Sequence, residues 1–281
     1  MTSRRDAVKT LGLLASAGWL PRNASASANS ADRIARLGIQ LYTVRAAMKA
    51  DMPGTLALVA KLGYREVEFA GYFGRTAAEV RALLNDHGLA APSTHLELDD
   101  VRERFDATAE FARSVGIRYL TVASLDMRTI KTVDDWKRTA DAFNDAGRRA
   151  KAAGLRFAYH NHVAEFASVD GRIPLDILIG GTDPALVTFE LDIYWAAKAG
   201  FDARTFFARF PGRFEMVHVK DATAAPAMEM TDVGSGTLDW KGIFARHAQA
   251  GIVHYFVEHD NPADPMDSIR KSANYLNALA F

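Results

Sequence analysis

The chain has 281 residues, of which 49% are hydrophobic, 24% charged and 10% aromatic, ordinary globular values that exclude a disordered or collagen-like chain. Lys plus Arg and Asp plus Glu each number 34, a balance that argues against a general nucleic-acid binder, whose phosphate contacts need a basic excess. There is no cysteine, which excludes a disulfide scaffold, a thiolate zinc site and a cysteine nucleophile.

The first predicted element is a leader. Arg4, Arg5 and Lys9 precede a short apolar run ending at Leu20, and Ala24-Ser25-Ala26 and Ala26-Ser27-Ala28 both fit an Ala-x-Ala cleavage site. The run is shorter than the roughly 20 residues of a membrane span. The paired arginines resemble a twin-arginine export signal, although Ala7 stands where a bulky apolar residue is common. We expect a signal over residues 1–28, a periplasmic mature protein and no membrane span in it. Removal takes away Arg4, Arg5, Lys9, Arg22 and Asp6, which tips the balance of 34 and 34 to a formal charge of −3.

From residue 36 an apolar run, a polar break and an amphipathic stretch recur. Strands are predicted at Leu37–Tyr42, Glu66–Phe69, Ala90–Leu96, Ile117–Ala123, Leu155–His160, Val187–Leu191, Arg213–Val219 and Ile252–Val257. Between them the spacing predicts helices at Met52–Leu62, Thr76–Asp86 (with Thr76 and Glu79 as a capping box), Asp100–Val115, Val133–Ala153, Leu175–Ile179, Ala203–Phe210 and Leu238–Gln249. A last helix runs from Pro265 to Leu279. Alternating strands and helices indicate parallel pairing. Eight units over residues 36–281 match an α/β fold of the closed (β/α)₈ TIM-barrel type. An open doubly wound sheet is the alternative, but Gly71-Tyr72-Phe73-Gly74 lacks the spacing of a dinucleotide loop.

In such a barrel, chemistry gathers where strands end. His95 follows the third strand, His160-Asn161-His162 the fifth, Glu190-Leu191-Asp192 the sixth, His218-Val219-Lys220-Asp221 the seventh and Glu258-His259-Asp260 the eighth. Residues two apart share a strand face, which groups His160 with His162, Glu190 with Asp192 and His218 with Lys220. Buried imidazoles and carboxylates need partners, and a divalent metal serves the whole set. Mixed nitrogen and oxygen ligation suits zinc, manganese, iron or cobalt, and a mainly carboxylate set suits magnesium as well. His87, His247 and His254 read as structural, and Trp240, Phe206, Phe207 and Phe210 as core.

Taken together, Leu37–Arg45, Tyr159-His160-Asn161-His162, Phe189-Glu190-Leu191-Asp192, His218-Val219-Lys220-Asp221, Gly234–Trp240 and Val257–Asp260 resemble the sugar phosphate isomerase/epimerase family of xylose-isomerase-like barrels. The resemblance implies a divalent metal held by Glu, Asp, His and Glu from strands five to eight. Asp192, His218 and Glu258 match the last three ligands. The first position holds His160 in place of glutamate, so His160, His162 or Glu190 supplies that ligand. The histidine usual three residues after the Asp is Trp195 here.

The mechanism the resemblance implies is proton loss beside a carbonyl, giving a metal-stabilised enediolate. Glu258 is a candidate ligand and base, and His160 or His162 the opposing acid or base. Lys220 either stabilises an oxyanion or pairs with Asp221. Tyr42, Arg45, His95 and Trp195 are candidate sugar contacts. Isomerisation or epimerisation of an unphosphorylated sugar or keto-sugar is expected, with β-elimination from, or hydration of, a 3-keto-glycoside or related sugar derivative as the alternative. A non-catalytic sugar-binding barrel is the alternative of another class. The small-molecule substrate leaves a homo-oligomer open and calls for no nucleic acid.

Overall fold

The computed structural model describes residues 32–281, so the expected leader over residues 1–28 lies outside the described residues. The barrel strands are β1 (Leu37–Gln40), β2 (Glu66–Phe69), β3 (Ala90–Leu96), β4 (Tyr119–Val122), β5 (Arg156–His160), β6 (Val187–Asp192) and β7 (Phe214–Val219). A small antiparallel ribbon, β8 (Asp221–Ala222) with β9 (Met230–Thr231), comes before the eighth barrel strand, β10 (His254–Val257). All eight barrel strands are parallel, each beside its neighbour in the chain. Closure comes from β1 pairing with β10, Leu37 opposite Tyr255 and Ile39 opposite Val257. One or two helices follow every barrel strand.

Strand alternation sorts the side chains into two populations. Val67, Leu120, Phe157, Phe189, Val217 and Val257 belong to one apolar core shared with the surrounding helices. Tyr119, Ala158, Met216 and Phe256 form a separate small cluster that floors the barrel interior. Above that floor the same interior positions turn polar, with Gln40, Glu68, Ser93, Thr121, Glu190 and His218 all buried. Gly38 permits the floor: a Cβ there would lie 2.6 Å from the Phe256 ring and 2.8 Å from the Tyr255 carbonyl oxygen.

Local signals set the helix starts. Glu79 N–H donates to Thr76 Oγ1 at 3.3 Å, and the Glu79 carboxylate accepts from Thr76 N–H at 2.8 Å, as the capping box predicts. Thr132 and Asp135 do the same for the long helix Val133–Ala152. Three expectations change. The first strand stops at Gln40, because the Gln40 side chain accepts from Tyr42 N–H and starts a 3₁₀ turn over Leu41–Val44. The helix predicted at Asp100–Val115 is two, Leu98–Arg102 and Phe105–Val115; Glu97 and Asp100 cap the first reciprocally. The helix predicted at Leu238–Gln249 is also two, Trp240–Phe244 and His247–Ala250, the first capped by Asp239. The β8–β9 ribbon was not anticipated.

Candidate active site

Adjacent strand ends bring the predicted donors together. The register sets His160 beside Glu190 and Asp192 beside His218. Two groups among the described residues have donor atoms within 4.8 Å of one another: His160, Asp192 and His218, and below them Glu68, His95, Glu190 and His218. His218 belongs to both.

The upper group fits a divalent ion. His160 Nδ1 donates to the Ala123 carbonyl at 3.1 Å, which leaves the lone pair of Nε2 facing Asp192 Oδ2 at 3.3 Å. Burial and the charge of His218 lower the His160 pKa to about 3, so no proton bridges the two acceptors at neutral pH. His218 Nδ1 is buried without an aligned hydrogen-bond partner, although Glu258 Oε2 lies 2.8 Å away and Asp192 Oδ2 3.9 Å away. These separations bracket the about 3.3–3.6 Å between ligand atoms around a tetrahedral ion with bonds of about 2.0–2.2 Å. Burial alone would lower the His218 pKa, but Glu190 and Glu258 raise it well above the ordinary imidazole value. That is the proton a bound ion would replace.

The lower group orients His218. Its Nε2 lies 2.8 Å from Glu68 Oε2 and 3.1 Å from Glu190 Oε2, the carboxylate–histidine arrangement that fixes a ligand's ring. Glu68 also accepts from Gln40 at 2.7 Å and Ser93 at 2.5 Å. His95 Nε2 is held at 2.9 Å by Glu190 and 3.3 Å by Glu68. Burial opposes charge on His95, yet Glu68 and Glu190 raise its pKa overall. Glu68 escaped the strand-end reading, because it ends a strand with no histidine or metal-like motif. The alternation Glu66-Val67-Glu68 in a buried strand was the available signal.

Lys220 is committed. Its Nζ lies 2.7 Å from Glu258, 2.8 Å from Asp260 and 3.0 Å from Asp192. Burial opposes its charge, but these three carboxylates raise its pKa well above the ordinary lysine value. The salt bridge with Asp221 does not form. Asp221 instead accepts from the backbone of Ala222, Gly234, Gly236 and Leu238 and from Trp240 Nε1. Burial raises the pKa of Glu258, but Lys220 and His218 outweigh it and keep the carboxyl well below the usual range.

A cavity of about 920 Å³ opens above the donors. His95, His160, His162, Lys220, Glu258 and Tyr42 line it, whereas Glu190, Asp192 and His218 lie behind its wall. Arg45 is not among the lining residues. It donates to the Tyr42 and Asp260 carbonyls, both at 2.9 Å, and to Asn261 Oδ1 at 3.0 Å, so it fastens the rim. Trp195 is likewise behind the wall, packed on His162 with ring centroids 5.9 Å apart. His160 Nδ1 is spent on Ala123 and its Nε2 faces Asp192, while the His162 ring has no hydrogen-bond partner among the described residues and faces the cavity. Burial lowers the His162 pKa, which favours the neutral ring with a lone pair able to accept a proton. Lys220 and Arg104 are the fixed cations on the lining, and Arg104 is paired with Asp100.

The chain belongs to the xylose isomerase-like TIM barrel family, whose model matches residues 56–279. It is 25% identical over 243 residues to an inosose dehydratase of Geobacillus kaustophilus, covering 70% of this chain and 78% of that one. A crystal structure of a sugar phosphate isomerase/epimerase from Parabacteroides distasonis superposes with a TM-score of 0.78 at 27% identity, over 92% and 98% of the two chains. A zinc-bound structure of the IolI protein shares the fold at 14% identity and a TM-score of 0.72, over 88% and 99%. The chain is thus an enzyme of a sugar-acting superfamily, and among the described residues no helix is long and apolar enough to cross a membrane.

Proposed function

We propose that the enzyme removes a proton beside the carbonyl of an unphosphorylated sugar derivative and then eliminates a group from the β carbon. The observation that carries this reading is the pair of differently placed imidazoles at the cavity wall: His162, whose ring has no hydrogen-bond partner among the described residues, and His95, held by Glu190 and Glu68, which favour its protonated form. Elimination needs one base and one acid. Epimerisation through two flanking carboxylates would need a partner for Glu258, and Glu190 is instead bound behind the wall to His95 and His218. His162 accepts the proton, and His95 donates one to the departing oxygen. His160, Asp192, His218 and Glu258 would hold the divalent ion, with zinc, manganese or cobalt suited to two imidazoles and two carboxylates. When bound, that ion supplies Lewis-acid stabilisation of enediolate charge. Lys220 and Arg104, the lysine and arginine of the lining, are both paired with carboxylates, which favours an unphosphorylated substrate. The likeness to inosose dehydratase supports dehydration-type chemistry.

Isomerisation or epimerisation is the second reading, favoured by the likeness to the Parabacteroides protein. Incubation with Mn²⁺ in deuterated water and a panel of keto-sugars, inososes and 3-keto-glycosides separates the two. An unsaturated ketone with loss of the β substituent is the expected result. Deuterium in recovered, uneliminated sugar would establish the second reading. Neither product, with metal bound, would leave a sugar-binding barrel. The proposal includes export: the mature chain should fractionate with the periplasm and lose residues 1–28.

A further inference from the structure

The cavity has two chemically different ends. The polar end, at β5, β7 and β10, carries His160, His162, Lys220 and Glu258. Toward β2, β3 and the helix Phe105–Val115 the apolar lining is Tyr72, Leu96, Ala107, Phe111 and Ala112, edged by Thr94, Glu97, Asp100, Arg104 and Thr108. The arm is built rather than incidental. Tyr72 is anchored by its hydroxyl donating to Thr94 Oγ1 at 2.9 Å, and its ring packs 4.3 Å from Phe111 and 5.0 Å from Phe69. Its rim cation, Arg104, is neutralised by Asp100. At about 920 Å³ the whole cavity reaches the upper part of the roughly 300–1,000 Å³ range of pockets that enclose drug-sized ligands, more than one sugar ring uses.

We propose that this arm is the subsite for an apolar, aromatic leaving group, which makes the substrate a keto-glycoside with an aromatic aglycone. The assignment rests on the elimination reading above. The proton donor of that reading, His95, lies on β3 between Thr94 and Leu96, at the junction of the two ends. A departing oxygen within reach of His95 therefore carries its substituent toward the arm, while the ring that loses its proton stays at His162. For a 3-keto-glucoside the balance closes without a co-reactant. His162 takes the C2 proton, the electron pair forms the C1–C2 double bond, and the C1–O bond breaks. The His95 proton goes to the leaving oxygen, giving an unsaturated keto-sugar and an alcohol.

Methyl and benzyl 3-keto-β-D-glucosides test this, since their leaving alcohols have similar basicity and differ in apolar bulk. With the Mn²⁺-loaded full-length protein we expect a KM ten- to a hundredfold lower for the benzyl compound, the range set by burying one aromatic ring. In Phe111→Ala and in Leu96→Ser the benzyl-to-methyl ratio should collapse to within about threefold, with circular dichroism and metal content checking each fold. Elimination from both compounds with equal KM would overturn the aglycone subsite and leave the elimination reading standing. A wild-type benzyl preference that both folded variants retain would overturn the assignment to this arm. Absence of elimination from either compound would overturn the elimination reading. Calorimetric titration of benzyl β-D-glucoside would then judge the arm alone: tighter binding than methyl β-D-glucoside, abolished in Phe111→Ala, sustains an apolar subsite, and equal binding removes it.

Discussion

At His218 the two ring nitrogens face different surroundings. Nε2 sits between Glu68 and Glu190, and Nδ1 between Glu258 and Asp192. A ring clamped below presents a fixed donor above, so Asp192→Ala and His218→Ala should abolish both bound metal and turnover. Elemental analysis showing unchanged metal in either would sink the ligand set. Glu68→Gln keeps the shape but weakens the clamp, and its metal affinity should fall about ten- to a hundredfold, measured by competition with a chromophoric chelator. His162→Ala makes the opposite pattern: metal retained, kcat lowered by about 10²–10⁴. Of these residues Asp192, His218 and His162 were legible at strand ends. Glu68 was not, because its partners Ser93 and His218 stand 25 and 150 residues away: strand register brings the first beside it and closure of the barrel the second.

The elements carry their own determinants. Thr132 Oγ1 accepts from Asp135 N–H at 3.2 Å and the Asp135 carboxylate accepts from Thr132 N–H at 2.8 Å, at the start of a 20-residue helix. Thr132→Ala should cost about 1 kcal/mol and lower Tm by roughly 2–4 °C. Backbone N–H groups of Lys131 and Thr132, with the Thr132 hydroxyl, hold Asp135 below its ordinary range. A depressed carboxylate stabilises the fold above its unfolded pKa of about 3.9, and the contribution fades as pH falls toward the folded value. The Tm gap between wild type and Asp135→Asn should therefore be widest near neutrality and shrink below about pH 4, as calorimetry at several pH values would record. The segment Asp221–Trp240 obeys a different rule. Asp221 gathers four backbone N–H groups and the Trp240 indole, and Asp221→Ala orphans them. A loss of at least about 3 kcal/mol is expected, or roughly 6–12 °C in Tm. Capping boxes are visible in sequence because both partners lie three residues apart. The role of Asp221 was hidden, since adjacency to Lys220 suggested a pair that the backbone donors of the ribbon loop outcompete.

For the molecule as a whole, the barrel interior is a stack: an apolar floor, a buried polar layer and an open mouth. Gly38→Ala would drive a methyl into Phe256 and the Tyr255 carbonyl oxygen. Overpacking of this kind costs about 1–3 kcal/mol, so Tm should drop by roughly 2–12 °C; an unchanged Tm would mean that the floor is loosely packed. The number of strands and their alternation followed from sequence by itself, because the two-residue period of a strand and the cap-to-cap period of a helix are local properties. The gathering of histidines and carboxylates at one mouth followed too, since parallel strands all end on the same side. Which atom meets which did not. Strand register and the β1–β10 closure set distances between residues far apart in the chain, and those distances turned Glu190 inward, gave Lys220 to Glu258, Asp260 and Asp192, and brought His162 and the Glu190-held His95 to the cavity wall.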